Sequence, residues 1–261
     1  MGTSKRSQEE KERQEEMNIL REYIREILSE NICPLPKAIF MAGAPGAGKS
    51  TVIRRLGLKD QLKVINPDDT YEESLKAAGI PLDVGALKDK YDPIKAAYLE
   101  AVESGDTKTA ESLEPDYLAL RGAMSQNMKL FAAARKAAKE RQESLECQME
   151  NFLVDGTGGA FKQISNQVKR LRDMGYDVGM IFIDVPKEIS VQRNIARGES
   201  GDRSISTQSV ERSWESVNKN KEPYRELFGN NFFYIDASEV AFDESIDSAA
   251  PKVNSFLNKS L

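Results

Sequence analysis

The chain has 261 residues, a formal net charge of −5, two cysteines and no histidine, a length suited to one large α/β domain with insertions or to two small ones. Without histidine there is no Ser-His-Asp or Cys-His catalysis and no His-ligated zinc, so a catalytic metal must be held mainly by oxygen, which points to Mg²⁺. The acidic balance argues against a broad nucleic-acid-binding face, and the sequence has no apolar run of membrane-spanning length.

Residues 1–16 are polar with mixed charge and are expected to form a disordered tail, with residues 17–261 forming a single domain. The opening MGTSKRSQEEKERQEE has no apolar signal-peptide core, and Cys33 and Cys147 lie far apart like free thiols, so the expected location is the cytoplasm. From Met17, the residues Ile19, Leu20, Tyr23, Ile24, Ile27 and Leu28 recur at three- and four-residue spacing. That pattern predicts an amphipathic helix, packed on the core or docking a partner.

The stretch Lys37 to Thr51, KAIFMAGAPGAGKST, joins a short apolar strand to Gly43-Ala44-Pro45-Gly46-Ala47-Gly48-Lys49-Ser50. This is the P-loop pattern G-x-x-x-x-G-K-S, followed by a predicted helix from Ser50 to Leu56. The glycines let successive N–H groups point into one concavity, and the helix start adds partial positive charge for phosphate. Lys49 is placed to reach the β/γ-phosphates of ATP, and the Ser50 hydroxyl to join a Mg²⁺ shell.

A second strand, Leu62–Ile65, runs into Asn66-Pro67-Asp68-Asp69-Thr70-Tyr71. Two carboxylates thus sit at the carboxyl end of a strand beside the P-loop strand, the edge at which α/β proteins bind ligands. Asp68 or Asp69 can accept a proton from a substrate hydroxyl or hold Mg²⁺ through water. Either can instead cap the helix that follows. Residues of about 72–150 read as a helical insertion that walls the substrate side, with breaks at Gly79-Ile80-Pro81, Gly85 and Ser104-Gly105-Asp106. Its longest helix is expected to begin near Pro115, with Tyr117, Leu120, Met124, Met128 and Phe131 as one apolar stripe and the methionines as core filler.

A third strand ends at Asp155 and turns through Gly156-Thr157-Gly158-Gly159. Asp155 can position Mg²⁺ or a substrate hydroxyl, or cap the turn; Thr157 can hydrogen-bond to substrate. The fourth strand ends at Asp184, but Val185-Pro186 follows where an AAA-type hydrolase would carry glutamate. The helix Lys187 to Arg197 carries Arg193 and Arg197 on one face, and the hinge-like Gly198 to Asp202 leads to Arg203. Residues of about 190–205 therefore read as a lid that closes arginines over transferring phosphates. A fifth strand, Asn231–Asp236, and a closing helix with Pro251 near its start complete an α/β order. That order predicts a five-stranded parallel sheet covered by helices on both faces.

Taken together, these motifs resemble the zeta-toxin-type P-loop kinases, a family that includes toxin kinases phosphorylating UDP-N-acetylglucosamine. The resemblance covers about Lys37 to Ser238. It rests on G-A-P-G-A-G-K-S, I-N-P-D at Ile65 to Asp68, N-F-L-V-D-G-T-G at Asn151 to Gly158, S-V-x-R-x-x-x-R at Ser190 to Arg197, G-D-R at Gly201 to Arg203, and the closing F-Y-I-D-A-S. It implies a P-loop NTPase kinase-type fold with a helical insertion between the second and third strands, and ATP and Mg²⁺ as cofactors. It also implies a small-molecule hydroxyl as acceptor, such as that of a nucleotide sugar, and an antitoxin partner contacting the Ile19–Leu28 region. Residue by residue, Asp68 matches the base and Asp69 is a register-shifted second choice. Lys49 and Ser50 match the phosphate lysine and the Mg²⁺ hydroxyl, and Arg193, Arg197 and Arg203 match lid arginines. Asp155 stands where those toxins have a substrate-contacting glutamate, Thr157 keeps its match, and Gly159 replaces an arginine. These departures fall on the acceptor, not on the phosphoryl chemistry. The alternatives are a nucleoside or polynucleotide 5′-hydroxyl kinase and, in another class, an ATPase or ATP-gated interaction module.

Overall fold

β1 (Lys37–Ala42) is buried at every position, as a strand covered on both faces must be. The computed structural model describes residues 35–259, of which Pro36–Leu257 form one compact unit. The expected tail 1–16, the Ile19–Leu28 stretch and Cys33 lie outside the described residues. After the P-loop come α1 (Lys49–Arg55), α2 (Leu58–Gln61) and β2 (Lys63–Ile65). Three helices then precede the next strand: α3 (Pro67–Ala77), α4 (Val84–Ser104) and α5 (Thr107–Cys147). The order continues with β3 (Phe152–Asp155), α6 (Phe161–Asp173), β4 (Asp177–Asp184), α7 (Lys187–Glu199), α8 (Thr207–Lys219), α9 (Lys221–Phe228), β5 (Phe232–Asp236) and α10 (Phe242–Leu257).

The five strands are all parallel, in the order β2-β3-β1-β4-β5. Successive side chains of β1 point to opposite faces. Ile39 and Met41 join one core with Val52, Ile53, Val253 and Phe256, so α1 and α10 cover that face. Ala38, Phe40 and Ala42 join the other with Val168, Leu171, Tyr224 and Phe228, which places α6 and α9 there. The register sets Met41 beside both Asp155 and Ile181, and Ile65 beside Val154. The P-loop, the start of α3 and the Asp155 turn therefore leave the sheet along one edge.

The insertion departs from its sequence pattern in three ways. Gly85 does not break a helix. It lies buried in the first turn of α4, where a Cβ would stand 2.9 Å from the Ile205 carbonyl carbon. α5 begins at Thr107, not near Pro115, because Asp106 caps it by accepting from the Thr109 N–H at 3.2 Å. Pro115 and, in α10, Pro251 lie inside their helices at exposed positions, where water can satisfy the carbonyl left without an N–H partner. Met128 is not core filler: it is 69 % exposed and Phe131 40 %. Asn127 takes the buried place on that turn, accepting a hydrogen bond from the Tyr71 hydroxyl. The far end of α5 is tied to α6 by Arg170, whose two terminal nitrogens donate to the buried Glu146 carboxylate at 2.5 and 2.8 Å. Cys147 is an exposed free thiol. Among the described residues, no helix is long and apolar enough to cross a membrane.

Candidate active site

The P-loop winds tightly because Gly46 and Gly48 adopt φ of 77° and 89°, values that glycine reaches without steric cost. It is also closely walled. A Cβ on Gly46 would lie 2.9 Å from the Ser190 carbonyl oxygen, and one on Gly48 2.9 Å from the Phe242 ring. Ser190 Oγ donates to the Pro45 carbonyl at 2.6 Å, and the Gly43 N–H donates to the Thr157 carbonyl at 2.9 Å. Lys49 folds back so that its Nζ donates to the Gly43 carbonyl at 3.0 Å. Burial of its ammonium lowers its pKa, opposed by the charges of Asp155 and Asp68 and reinforced by Arg197 and Arg203.

At the neighbouring strand end, neither Asp68 nor Asp69 caps α3. Asn66 does, because Pro67 holds the first helical position and Asn66 Oδ1 can accept from the Asp68 N–H at 2.9 Å. Asn66 Nδ2 also donates to Asp69 Oδ1 at 2.8 Å. The Asp68 carboxylate is thereby left to face the lid: Arg203 Nη2 lies 2.5 Å from its Oδ2. The same guanidinium donates from Nε to Glu72 Oε1 at 3.1 Å and sits 5.8 Å from the Tyr71 ring centroid.

Asp155 is 8 % exposed, and its Oδ1 has no hydrogen-bond partner. Burial raises its pKa; Lys49 opposes the rise, and Asp68 and Asp69 add to it. It does not cap α6, whose N-cap position is Ala160 without a side-chain bond. Thr157 is exposed. Gly158 and Gly159 are held from behind, their carbonyls accepting from Asn220 Nδ2 at 3.0 and 2.9 Å, with Tyr224 Oη on Gly158 as well at 2.8 Å. A Cβ at Gly159 would meet Ser216 at 3.4 Å.

The three arginines expected to form a lid take different partners. α7 is anchored by two buried polar residues four apart, Ser190 on the P-loop and Asn194 on the loop beyond. Between them Arg193 Nη1 donates to the Gly46 carbonyl at 3.2 Å and lies 6.0 Å from the Phe242 ring centroid. The Arg197 carbonyl accepts from the Asp202 N–H and Ser200 Oγ, both at 2.9 Å, while its guanidinium has no hydrogen-bond or ion-pair partner among the described residues and opens into a cleft of about 380 Å³, lined also by Gly46, Gly48, Thr51 and Phe242. Arg203 alone crosses to the carboxylates of α3. The segment Gly198 to Arg203, expected to be hinge-like, is fastened at both ends. Asn194 and Ile205 exchange two hydrogen bonds, and Ser204 Oγ donates to Asp83 Oδ1 at 2.5 Å. Asp184 stands apart, paired with Lys221 at 2.9 Å and accepting from Tyr234 Oη at 3.0 Å.

Sequence reasoning missed Phe242, Glu72 and Asn194. Phe242 had a weak signal as the first residue of the helix after the fifth strand. Asn194 stood four residues after Ser190 on a helix otherwise read for its arginines. Glu72 had none, since it meets Arg203 from 131 residues away.

Mg²⁺ fits the donor set. Asp155 Oδ1 is an orphaned buried oxygen near Lys49, and Ser50 is the second residue of α1. Among the described residues no three His, Cys, Asp or Glu side chains form a metal cage. That suits an ion that keeps waters and phosphate oxygens as ligands.

A family model described as the AAA domain matches residues 39–223. None of the curated proteins matches the chain. Among solved structures, the AvrRxo1-ORF1:-ORF2 complex with ATP superposes with a TM-score of 0.54 at 13 % identity, over 82 % of this chain and 59 % of the other. The Pnkp1/Rnl/Hen1 RNA repair complex gives 0.47 at 20 %, over 75 % and 48 %. The PezAT chromosomal toxin-antitoxin system of Streptococcus pneumoniae gives 0.44 at 17 %, over 86 % and 87 %. In the first two cases this chain spans about half to three-fifths of the matched chain. The parallel five-stranded sheet with the P-loop after β1 is a P-loop kinase-type fold, and at 13 % identity the likeness to the first of these structures is one of fold alone.

Proposed function

The chain belongs to the AAA domain family, and on that footing we propose that it is an ATP- and Mg²⁺-dependent kinase. It would transfer the γ-phosphoryl group of ATP to a hydroxyl of a small molecule. The observation that carries this reading is the position of Asp68. A carboxylate free of capping duty shares one electrostatic site with Lys49, Asp155, Arg197 and Arg203. An ATPase reading draws less support, because Asp184 is occupied by Lys221 and Tyr234 and no glutamate follows it.

In this mechanism the P-loop amides and Lys49 cradle the phosphates. The Ser50 hydroxyl and, through water, Asp155 or Asp68 would hold Mg²⁺, which when bound would neutralise charge on the phosphate oxygens. Thr51, Arg193, Arg197 and Phe242 border the cleft for the rest of the nucleotide. Asp68 takes the proton of the acceptor hydroxyl as its oxygen bonds to the γ-phosphorus. The bond from that phosphorus to the β–γ bridging oxygen breaks and ADP leaves. Arg197 and Arg203 meet the charge spread over the transferring group. Thr157, with Asp155 and Asp69, borders the acceptor.

The zeta-toxin motifs extend this proposal to a cytoplasmic toxin-type kinase with a nucleotide-sugar acceptor and a neutralising protein partner. The test is incubation with ATP, Mg²⁺ and a panel containing nucleotide sugars, other hydroxyl metabolites and a 5′-hydroxyl oligonucleotide, read by mass with Lys49→Ala as the blank. A phosphorylated acceptor is expected. Nucleotide binding or hydrolysis with every acceptor unmodified would move the reading to an ATPase or ATP-gated module.

A further inference from the structure

Arg203 is held in an unusual way for a group expected to meet phosphate. Asp68 and Glu72 lie four residues apart at the start of α3, where like charges on adjacent turns repel by a few tenths of a kcal/mol, about 0.2–0.5. One guanidinium lies across both: Nη2 on Asp68 at 2.5 Å and Nε on Glu72 at 3.1 Å. Its plane is backed by the Tyr71 ring, and that ring is fixed in turn by the buried Tyr71–Asn127 hydrogen bond and by edge contact with Phe131 at 5.2 Å. Arg203 is 20 % exposed at its side chain, against 45 % for Asp68 and 36 % for Glu72.

The geometry of the fork makes the two contacts unequal. Arginine has five N–H donors in a fixed plane. Nε belongs only to the side edge of that plane. Nη2 belongs to the side edge and also to the end edge it shares with Nη1. Nη2 carries two N–H groups, one on each edge, so a phosphoryl group meeting the end edge takes one of them, brings its negative charge beside Asp68, and leaves Nε alone. The contact open to exchange is the one with Asp68; the contact that persists is the one with Glu72.

We propose that Glu72 is the positioning residue of the lid: it holds Arg203 through Nε, while the Arg203–Asp68 contact exchanges for the γ-phosphoryl group of a bound triphosphate. Asp68 is thus released to accept the acceptor's proton only when the donor is in place. This rests on the kinase reading for its purpose, but the hold on Nε does not.

The test uses the full chain and two readouts. The first is the Nε–Hε resonance of Arg203 in a ¹H–¹⁵N spectrum, assigned with Arg203→Lys. It is expected to be slow to exchange with water both alone and with a non-hydrolysable ATP analogue and Mg²⁺. It should broaden away in Glu72→Ala and survive, shifted, in Glu72→Gln, whose carboxamide oxygen still accepts. The second is kinetic. Glu72→Ala should lower kcat about ten- to a hundredfold through misplacement of Arg203, with KM for ATP within about twofold, and Glu72→Gln should recover most of it. In an Arg203→Ala background the Glu72→Ala loss should vanish. An Nε resonance indifferent to Glu72→Ala, or losses that simply multiply in the double variant, overturns the proposal and leaves the kinase reading intact. A chain that phosphorylates no acceptor removes the kinase reading, while the resonance still decides the role of Glu72.

Discussion

The two halves of the cleft hold their cations in different ways. On the donor half, Lys49 and Arg193 rest on the neutral carbonyl oxygens of Gly43 and Gly46. On the acceptor half, Arg203 rests on two carboxylates. A phosphate displaces a carbonyl from a cation readily, because it brings a full negative charge where the carbonyl offers only a dipole. Displacing a carboxylate gains much less. The donor half is therefore poised for nucleotide, whereas the acceptor half is held in check by its own charges until one is exchanged.

That contrast can be broken most sharply at its two defining residues. Asp68→Ala should cut phosphoryl transfer by about a thousandfold while nucleotide affinity, read by calorimetry, changes little. Lys49→Ala should lose both. Equal loss of affinity in the two variants would erase the distinction between the halves. Next in size is Arg197, whose guanidinium has no hydrogen-bond or ion-pair partner among the described residues: Arg197→Ala should lower kcat about a hundredfold with thermal stability little changed, since no hydrogen bond or ion pair among the described residues is lost. Phe242→Ala should weaken nucleotide binding about tenfold by removing the ring beside the cleft, with kcat at saturating ATP kept within about twofold.

The smallest effect concerns stability and has a definite sign. Burial raises the pKa of Asp155 in the folded chain, so the native state keeps that proton to higher pH than the unfolded state. Stability is then lost as pH rises from the unfolded value near 3.8 through the raised folded value. Asp155→Asn removes the loss. Thermal melts of the variant and the parent should coincide at the acid end and separate as pH rises, with the variant the more stable. Added Mg²⁺ and ATP should narrow the gap by stabilising the parent more. Melting curves that separate in the opposite direction would mean that the Lys49–Asp155 attraction outweighs burial.

Much of the donor half was legible because it is local. Strand, glycines and Lys49 follow one another within fifteen residues of sequence, and each glycine has a backbone reason to be there. The inner strands β1, β3 and β4 were equally plain, since a strand buried on both faces is apolar along its middle, while the edge strands β2 and β5 expose Lys63 and Tyr234. The acceptor half was half visible. Asp68 announced itself at a strand end, but the cap left open to either aspartate falls to Asn66, and Arg203, expected over phosphate, spans Asp68 and Glu72. Ion pairs between distant segments leave no periodic trace. Pro115 and Pro251 misled for another reason: a proline at an exposed turn costs a helix one hydrogen bond without ending it, and sequence alone does not tell which side of the helix it faces. Met128 was turned outward by a single polar pair, Tyr71 with Asn127, that no hydrophobic pattern encodes.

The fastening of Ser204 to Asp83, with the Ile205–Ser206 backbone pressed against Gly85, makes the lid and the root of α4 one mechanical piece. α4 has 21 residues, a rod of about 30 Å. A tilt of about 10° at its root sweeps its far end through about 5 Å on the same helix geometry. The hairpin of α4 and α5 is thus the long arm of a lever whose short arm is the segment carrying Arg203. Sub-ångström shifts at Arg203 become displacements at Gly105 large enough for a pair of spectroscopic labels to follow turnover from outside the cleft.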